Sequence, residues 1–136
     1  MRRAGSEANL YEQIAQYLNL KHPNVLYHFD LSGVNNPSKY TRSLYDRLNR
    51  RAWPDLYIAK PTLAEHGYIT PGLFIELKRE GTRLKKKNGE WVSEHIAEQA
   101  AILDALSDVG YYATFAVGFD EAVFYIEAYL GQGGVF

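Results

Sequence analysis

The chain has 136 residues, 46% of them hydrophobic and 23% charged, with a net charge of −1 and no cysteine. That size and balance suit one soluble globular domain spanning 1–136, and the lack of cysteine excludes disulfides and thiolate metal sites. No apolar run reaches the length of a membrane span, and the two arginines of MRRAGSEANL have no apolar stretch behind them, so neither a membrane protein nor a signal peptide is expected and the expected location is the cytoplasm.

Ser6 is placed to cap a helix over SEANLYEQIAQYL, with Leu10, Ile14, Tyr17 and Leu18 on its apolar face and His22-Pro23 ending it. A first strand is predicted at 24–31 (NVLYHFDL), followed by the loop SGVNNPSK. YTRSLYDRLNR predicts a short helix at 40–50, with Leu44 and Leu48 on one side and arginines on the other. A second strand follows at 55–59, then KPTLAEHGYITP as a connection with hairpin character, then a third strand at 73–78. REGTRLKKKNGEW is a basic loop turning at Asn88-Gly89. It leads into a helix at 93–108 that turns Ile96, Ala100, Leu103 and Leu106 inward, with Gly110 past its end. A fourth strand at 111–117, a closing helix at 120–130 and the tail GQGGVF complete the chain. This order makes an α/β fold, a small mixed sheet flanked by helices.

Charge is unevenly spread. Lys39, Arg42, Arg47, Arg50 and Arg51 are opposed only by Asp46, while Lys78, Arg79, Arg83, Lys85, Lys86 and Lys87 are opposed only by Glu80. From residue 92 to the end there is no Lys or Arg, and seven acidic residues. Two basic segments beside the second and third strands could form one cationic surface for a phosphate backbone, or could be ordinary solvated loops.

The second and third strands carry charge where a buried strand should carry none: Asp55 in AWPDLYIAKP, Glu76 and Lys78 in GLFIELKREG. Strand alternation puts Leu73, Ile75 and Leu77 on one face and Phe74, Glu76 and Lys78 on the other. Asp55 lies beside Glu76 if the two strands pair. Adjacent carboxylates repel, and a hard divalent cation with water and phosphate completing its shell removes that cost. Lys78 would then stand near the phosphate, able to orient water or offset charge on phosphorus. The plainer alternative is a Glu76–Lys78 surface pair on an edge strand, with Asp55 capping a turn after Pro54.

Pro54-Asp55 and Glu76-Leu77-Lys78 resemble the signature of the PD-(D/E)XK nuclease superfamily, whose restriction-endonuclease-like core runs αβββαβ. More narrowly the chain resembles the VRR-NUC (virus-type replication-repair nuclease) family, through SEANLYEQ, WPDLYI, GLFIELKREG, SEHIAEQAAILDAL and GYYATFAVGFDEAVFYIEAYL. The resemblance spans nearly the whole chain and makes the 40–50 helix an insertion in the core. It implies Asp55 and Glu76 as metal ligands, the Leu77 carbonyl completing the shell, and Lys78 as the catalytic lysine. It implies Glu7 as the acid of the first helix, with Glu12 as the alternative, and Gln99 as the helix glutamine beside the metal. The loop before Gln99 is longer than the family's and adds a basic finger. The implied activity is a Mg²⁺- or Mn²⁺-dependent deoxyribonuclease, a structure-selective endonuclease on branched DNA such as Holliday junctions or flaps. It would act in replication, repair or recombination as a phage or bacterial homodimer. Arg42, Arg47, Arg50, Arg51, Arg83, Lys85, Lys86 and Lys87 would hold the DNA backbone. A catalytically silent DNA-binding or subunit module with the same fold is the competing expectation.

His22, His28, His66 and His95 show no zinc spacing, and His28 could look onto the site from the first strand. Some of the eleven tyrosines could stack on bases, but Tyr111, Tyr112, Tyr125 and Tyr129 fit a core or interface better.

Overall fold

The computed structural model describes residues 7–31, 38–64 and 67–131. Its elements are α1 (Glu7–Lys21), β1 (Tyr27–Phe29), α2 (Lys39–Leu48), β2 (Leu56–Ile58), β3 (Thr62–Leu63), β4 (Ile69–Thr70), β5 (Leu73–Lys78), α3 (Glu94–Asp108), β6 (Tyr112–Val117) and α4 (Phe119–Leu130). The main sheet runs β1-β2-β5-β6, antiparallel except for the parallel β5–β6 pair. β3 and β4 form a separate antiparallel hairpin in the connection between β2 and β5. With α2 and that hairpin set aside as insertions, the order is αβββαβ followed by the closing helix α4.

β5 explains the layering. Leu73, Ile75 and Leu77 are fully buried on one face, in a cluster with Leu10, Ile14 and Leu18 of α1, Ala122, Ile126 and Tyr129 of α4, and Leu56 and Ile58 of β2. α1 and α4 therefore cover that face. α3 lies across the other, burying Ile96, Ala100, Leu103 and Leu106. The parallel β5–β6 pair needs a crossover, which α3 supplies. Ser93 caps α3, its hydroxyl accepting the Ile96 N–H at 3.2 Å. Gly72 is required where β5 enters the sheet: a Cβ there would sit 2.7 Å from the Tyr57 ring and 2.9 Å from the Ile58 carbonyl.

Several expectations are corrected. The first strand is three residues, not eight, because its partner β2 is itself only three residues long and the ladder between them runs from Tyr27 to Phe29. Asp55 precedes β2 rather than beginning it. α2 starts and ends one to two residues early and buries nothing; Leu48 is 71% exposed, so Leu44 and Leu48 do not form a core face. Its hold on the sheet includes the Tyr45 hydroxyl, which donates to Asp30 Oδ2 at 2.5 Å. Nor is β5 an edge strand: β2 and β6 flank it, which removes the surface-pair alternative for Glu76. Ser6, the expected cap of α1, His66 and the tail beyond Gly131 lie outside the described residues. No helix among the described residues is long and apolar enough to cross a membrane.

Candidate active site

Antiparallel pairing of Leu56 with Ile75 brings Asp55 alongside Glu76 at the end of β2. There the Asp55 side chain closes onto β5, its Oδ2 accepting the Leu77 N–H at 2.9 Å, while its backbone carbonyl accepts the Asp30 N–H at 2.7 Å. The N–H and C=O of one strand residue point the same way, so the Leu77 carbonyl also faces the Asp55 side.

Glu76 is 4% exposed, on the α3 face of the sheet. Its Oε2 accepts from Gln99 Nε2 at 3.1 Å and lies 3.9 Å from Lys78 Nζ. Its Oε1 is buried with no hydrogen-bond partner, and so is Gln99 Oε1. Burial first, then the negative Asp55 beside it, pushes the Glu76 carboxyl up to about 10, against the opposing pull of Lys78. A buried charge with an unpartnered oxygen is costly unless something cationic fills the gap.

Glu7, the first residue of α1, is half-buried and faces the same space; burial and Asp55 raise its carboxyl above the ordinary value, opposed by Lys78, Arg79 and His95. These groups line a cavity of about 890 Å³, walled by Glu7, Asp55, Glu76, Lys78, His95 and Gln99 on the sheet side and by α2 and the 49–53 segment on the other. Glu12 is exposed and does not line it. Among the described residues no three His, Asp or Glu side chains come together closely enough to hold a metal by themselves. Asp55 and Glu76 therefore offer two carboxylates, with the Leu77 carbonyl on the same side. Glu7 stands further out, at the start of α1.

The basic residues divide. Arg42, Arg50 and Arg51 line the cavity, Arg51 also reaching Glu98 at 3.4 Å. Arg47 turns back to Ser43 on its own helix at 2.9 Å. Arg83, Lys85, Lys86 and Lys87 lie outside the cavity lining, on a finger closed by a Lys85–Trp91 bridge and turning at Gly89. On that finger Arg83 Nε donates to the Lys85 carbonyl, Lys85 Nζ lies 4.6 Å from the centre of the Trp91 ring, and Lys86 reaches Glu90 at 4.0 Å. The first basic segment thus borders the carboxylates, and of the second only its opening Lys78 lines the cavity.

Three contributors lie within the quoted motifs without being singled out there. Tyr11, one turn after Glu7, is 5% exposed and stacked on Phe29 at 5.1 Å; burial and the neighbouring Asp55 raise its hydroxyl above the ordinary range. His95 lies one turn before Gln99, a spacing that could have flagged it. Trp53 lines the cavity beside Asp55. His28 lines a smaller neighbouring cavity instead, and His22 is held by Glu127 at 2.6 Å, far from this site in the fold. Of the tyrosines, Tyr129 is fully buried and its hydroxyl donates to the Lys60 and Thr70 carbonyls at 2.6 and 3.1 Å.

The chain has the restriction-endonuclease-like α/β fold. A solved structure described as a VRR_NUC domain protein is similar to it over 97% of this chain and 93% of its own, with a TM-score of 0.67 and 18% identity. At that identity the likeness is one of fold. No protein-family model matches the chain. No curated protein sequence matches it either.

Proposed function

We propose that the protein is a divalent-metal-dependent nuclease that hydrolyses DNA phosphodiesters. The observation that carries this reading is the pairing of half-buried Asp55 with buried Glu76, with a partnerless Glu76 oxygen and Lys78 beside it at the wall of a large cavity. An all-oxygen set of two carboxylates and a carbonyl suits hard Mg²⁺ or Mn²⁺ better than a softer ion. Asp55, Glu76 and the Leu77 carbonyl would hold it. When bound, such a cation neutralises the carboxylates and polarises a phosphoryl oxygen.

The chain's own groups supply the rest. Gln99 fixes the Glu76 carboxylate through its amide and closes the α3 side of the site. The Lys78 ammonium, 14% exposed and tied only loosely to Glu76, is free to orient an attacking water and to face the charge that builds on phosphorus. Glu7, its carboxyl raised by burial, stands where it can accept a proton from that water. Arg42, Arg50 and Arg51 would hold the backbone flanking the cut, with Arg47, Arg83, Lys85, Lys86 and Lys87 reaching phosphates further out. Such contacts position DNA without reading sequence, which favours a structure-selective endonuclease on Holliday-junction or flap-like DNA. A homodimer would place two such sites on one branched substrate. Replication, repair or recombination in a phage or bacterial cytoplasm is the setting this reading implies.

Purified protein incubated with linear, flap and four-way DNA, with Mn²⁺, Mg²⁺ or EDTA, tests it. Metal-dependent cleavage abolished by Glu76→Ala and by Lys78→Ala, with DNA binding retained, is the expected result. Binding without cleavage under either metal would leave a silent DNA-binding module, and cleavage indifferent to both substitutions would remove this site.

A further inference from the structure

We propose that the smaller cavity beside the carboxylates is a subsite for one unpaired nucleobase, with Trp53 as its stacking platform. The inference rests on the nuclease reading and narrows its substrate to DNA with unpaired nucleotides next to the phosphate being held.

Trp53 sits two residues before Asp55, where the backbone turns sharply. Ala52 adopts φ 59°, a left-handed conformation rare for a residue with a Cβ, and Pro54 fixes the next step. The turn sets the indole edge-on against Phe74, with ring centres 5.5 Å apart at 83°. Phe74 is locked in turn by Tyr57 at 4.5 Å and Tyr111 at 5.1 Å. The indole is thus braced by a rigid aromatic cluster, yet the residue remains 39% exposed. A single exposed aromatic is ordinary on a protein surface. This one lines both cavities, the 890 Å³ space holding the carboxylates and a neighbouring one of about 330 Å³.

The two cavities share Asp30, Leu31, Tyr45, Asn49 and Trp53, so they are continuous around the indole. Flat walls in the smaller one come from Trp53 and Tyr57. Polar groups come from the Asn49 amide, whose nitrogen donates to the Tyr45 carbonyl at 3.0 Å and whose oxygen can accept, from His28, and from the hydrogen-bonded Tyr45 and Asp30. A flat ligand with donors and acceptors on its edge fits this lining, and in DNA that description belongs to a base. The base lies one sugar away from a phosphate, and the smaller cavity lies one residue cluster away from the carboxylates. A base stacked and paired inside a duplex cannot enter; one in a flap, gap, bubble or frayed end can. The selectivity for DNA structure would then come from an aromatic pocket as well as from the arginines.

The test is binding in EDTA, so that no strand is cut. A Trp91→Phe background leaves Trp53 as the only tryptophan. Its emission is expected to be quenched by a flap-bearing duplex, and not by the same duplex whose unpaired nucleotides lack their bases. Trp53→Ala is expected to weaken flap binding by about 5- to 150-fold, the range for loss of one stacked base, with blunt duplex binding unchanged and Trp53→Phe retaining most of the affinity. Equal losses on flap and blunt duplex, or base-free and base-bearing flaps bound alike with no emission change, would overturn the subsite. Should Trp53→Ala fold poorly, the emission and base-free comparisons decide on their own. DNA binding and metal-dependent cutting with a silent Trp53 would overturn this inference alone. Trp53-dependent binding without cutting under any metal would support it while overturning the nuclease reading, and no DNA binding at all would overturn both.

Discussion

The Asp55 carboxylate accepts the backbone N–H of Leu77 at 2.9 Å. β2 begins only at Leu56, and the side chain of the preceding Asp55 takes a donor that would otherwise be left unpaired in a central strand. One carboxylate oxygen is thereby committed to the fold and aims the other towards Glu76. Asp55→Ala should cost about 1–3 kcal/mol, the usual penalty for orphaning a buried donor, whereas Asp55→Asn keeps an acceptor oxygen and should stay within about 1 kcal/mol of wild type. Urea unfolding separates the two, and both variants should lose metal-dependent cleavage. Equal destabilisation by Asn and Ala would mean that the charge, rather than the hydrogen bond, holds this corner.

Glu76 is the converse case, a residue the fold would be more stable without. Its buried carboxyl has one unpartnered oxygen and a second carboxylate for a neighbour, so folding without a metal forces it to take up a proton. Glu76→Gln keeps the shape and has no proton to take up, so in EDTA at pH 7 it should raise stability by about 1 kcal/mol or more. Adding Mn²⁺ should then raise the Tm of wild type and leave that of the variant unmoved, since a ligand that binds only the folded state stabilises it by mass action. A Glu76→Gln protein that is less stable than wild type in EDTA, or a wild-type Tm indifferent to Mn²⁺, would contradict a cation site there.

The face alternation of LFIELK places Glu76 and Lys78 together from the sequence alone, because a strand's period of two leaves no choice once the strand is recognised. The four core elements around it are legible for the same reason: each has an apolar pattern matching its period. What the sequence does not carry is the short range of β1 and the solvent-facing placement of α2, where apolar residues such as Leu48 stay exposed. Hydrophobic patterning cannot report a helix that has no core to face. Tyr11 and Trp53 are not legible because each owes its place to where two elements converge, and a single element's periodicity gives only the direction of a side chain, not what waits there, whereas His95 could have been read from its one-turn spacing to Gln99.

Away from the site, Glu127 of α4 accepts hydrogen bonds from Tyr17 of α1 and His22, which hold its carboxyl below the ordinary value, the His22 bond contributing most. A depressed folded value means that this tie stabilises the protein above the unfolded carboxylate value of about 4.5, and that its contribution is lost as pH falls through the folded value. Glu127 is 46% exposed, so the effect is modest, under about 1 kcal/mol. Glu127→Gln should therefore lower Tm slightly at pH 7, and the gap to wild type should narrow steadily as pH falls below the unfolded carboxylate value. A gap that does not narrow with acidification would point to lost packing between α1 and α4 rather than to the charge.

The two basic segments should differ in how they act on DNA. Arg50 and Arg51 line the carboxylate cavity, while Lys85, Lys86 and Lys87 ride on a separate finger whose Lys85 and Lys86 already face Trp91 and Glu90. Neutralising Arg50 and Arg51 should reduce cleavage as well as binding, and flatten the plot of log affinity against log salt by roughly 1 for each phosphate that is no longer neutralised. Neutralising the three lysines should flatten the same plot while cleavage at saturating DNA holds, because that finger reaches backbone remote from the cut. A salt slope unchanged by the lysine substitutions would mean the finger does not touch DNA. Cleavage unchanged by the arginine substitutions at saturating DNA would mean that the segment after α2 guides the backbone without aligning it for reaction.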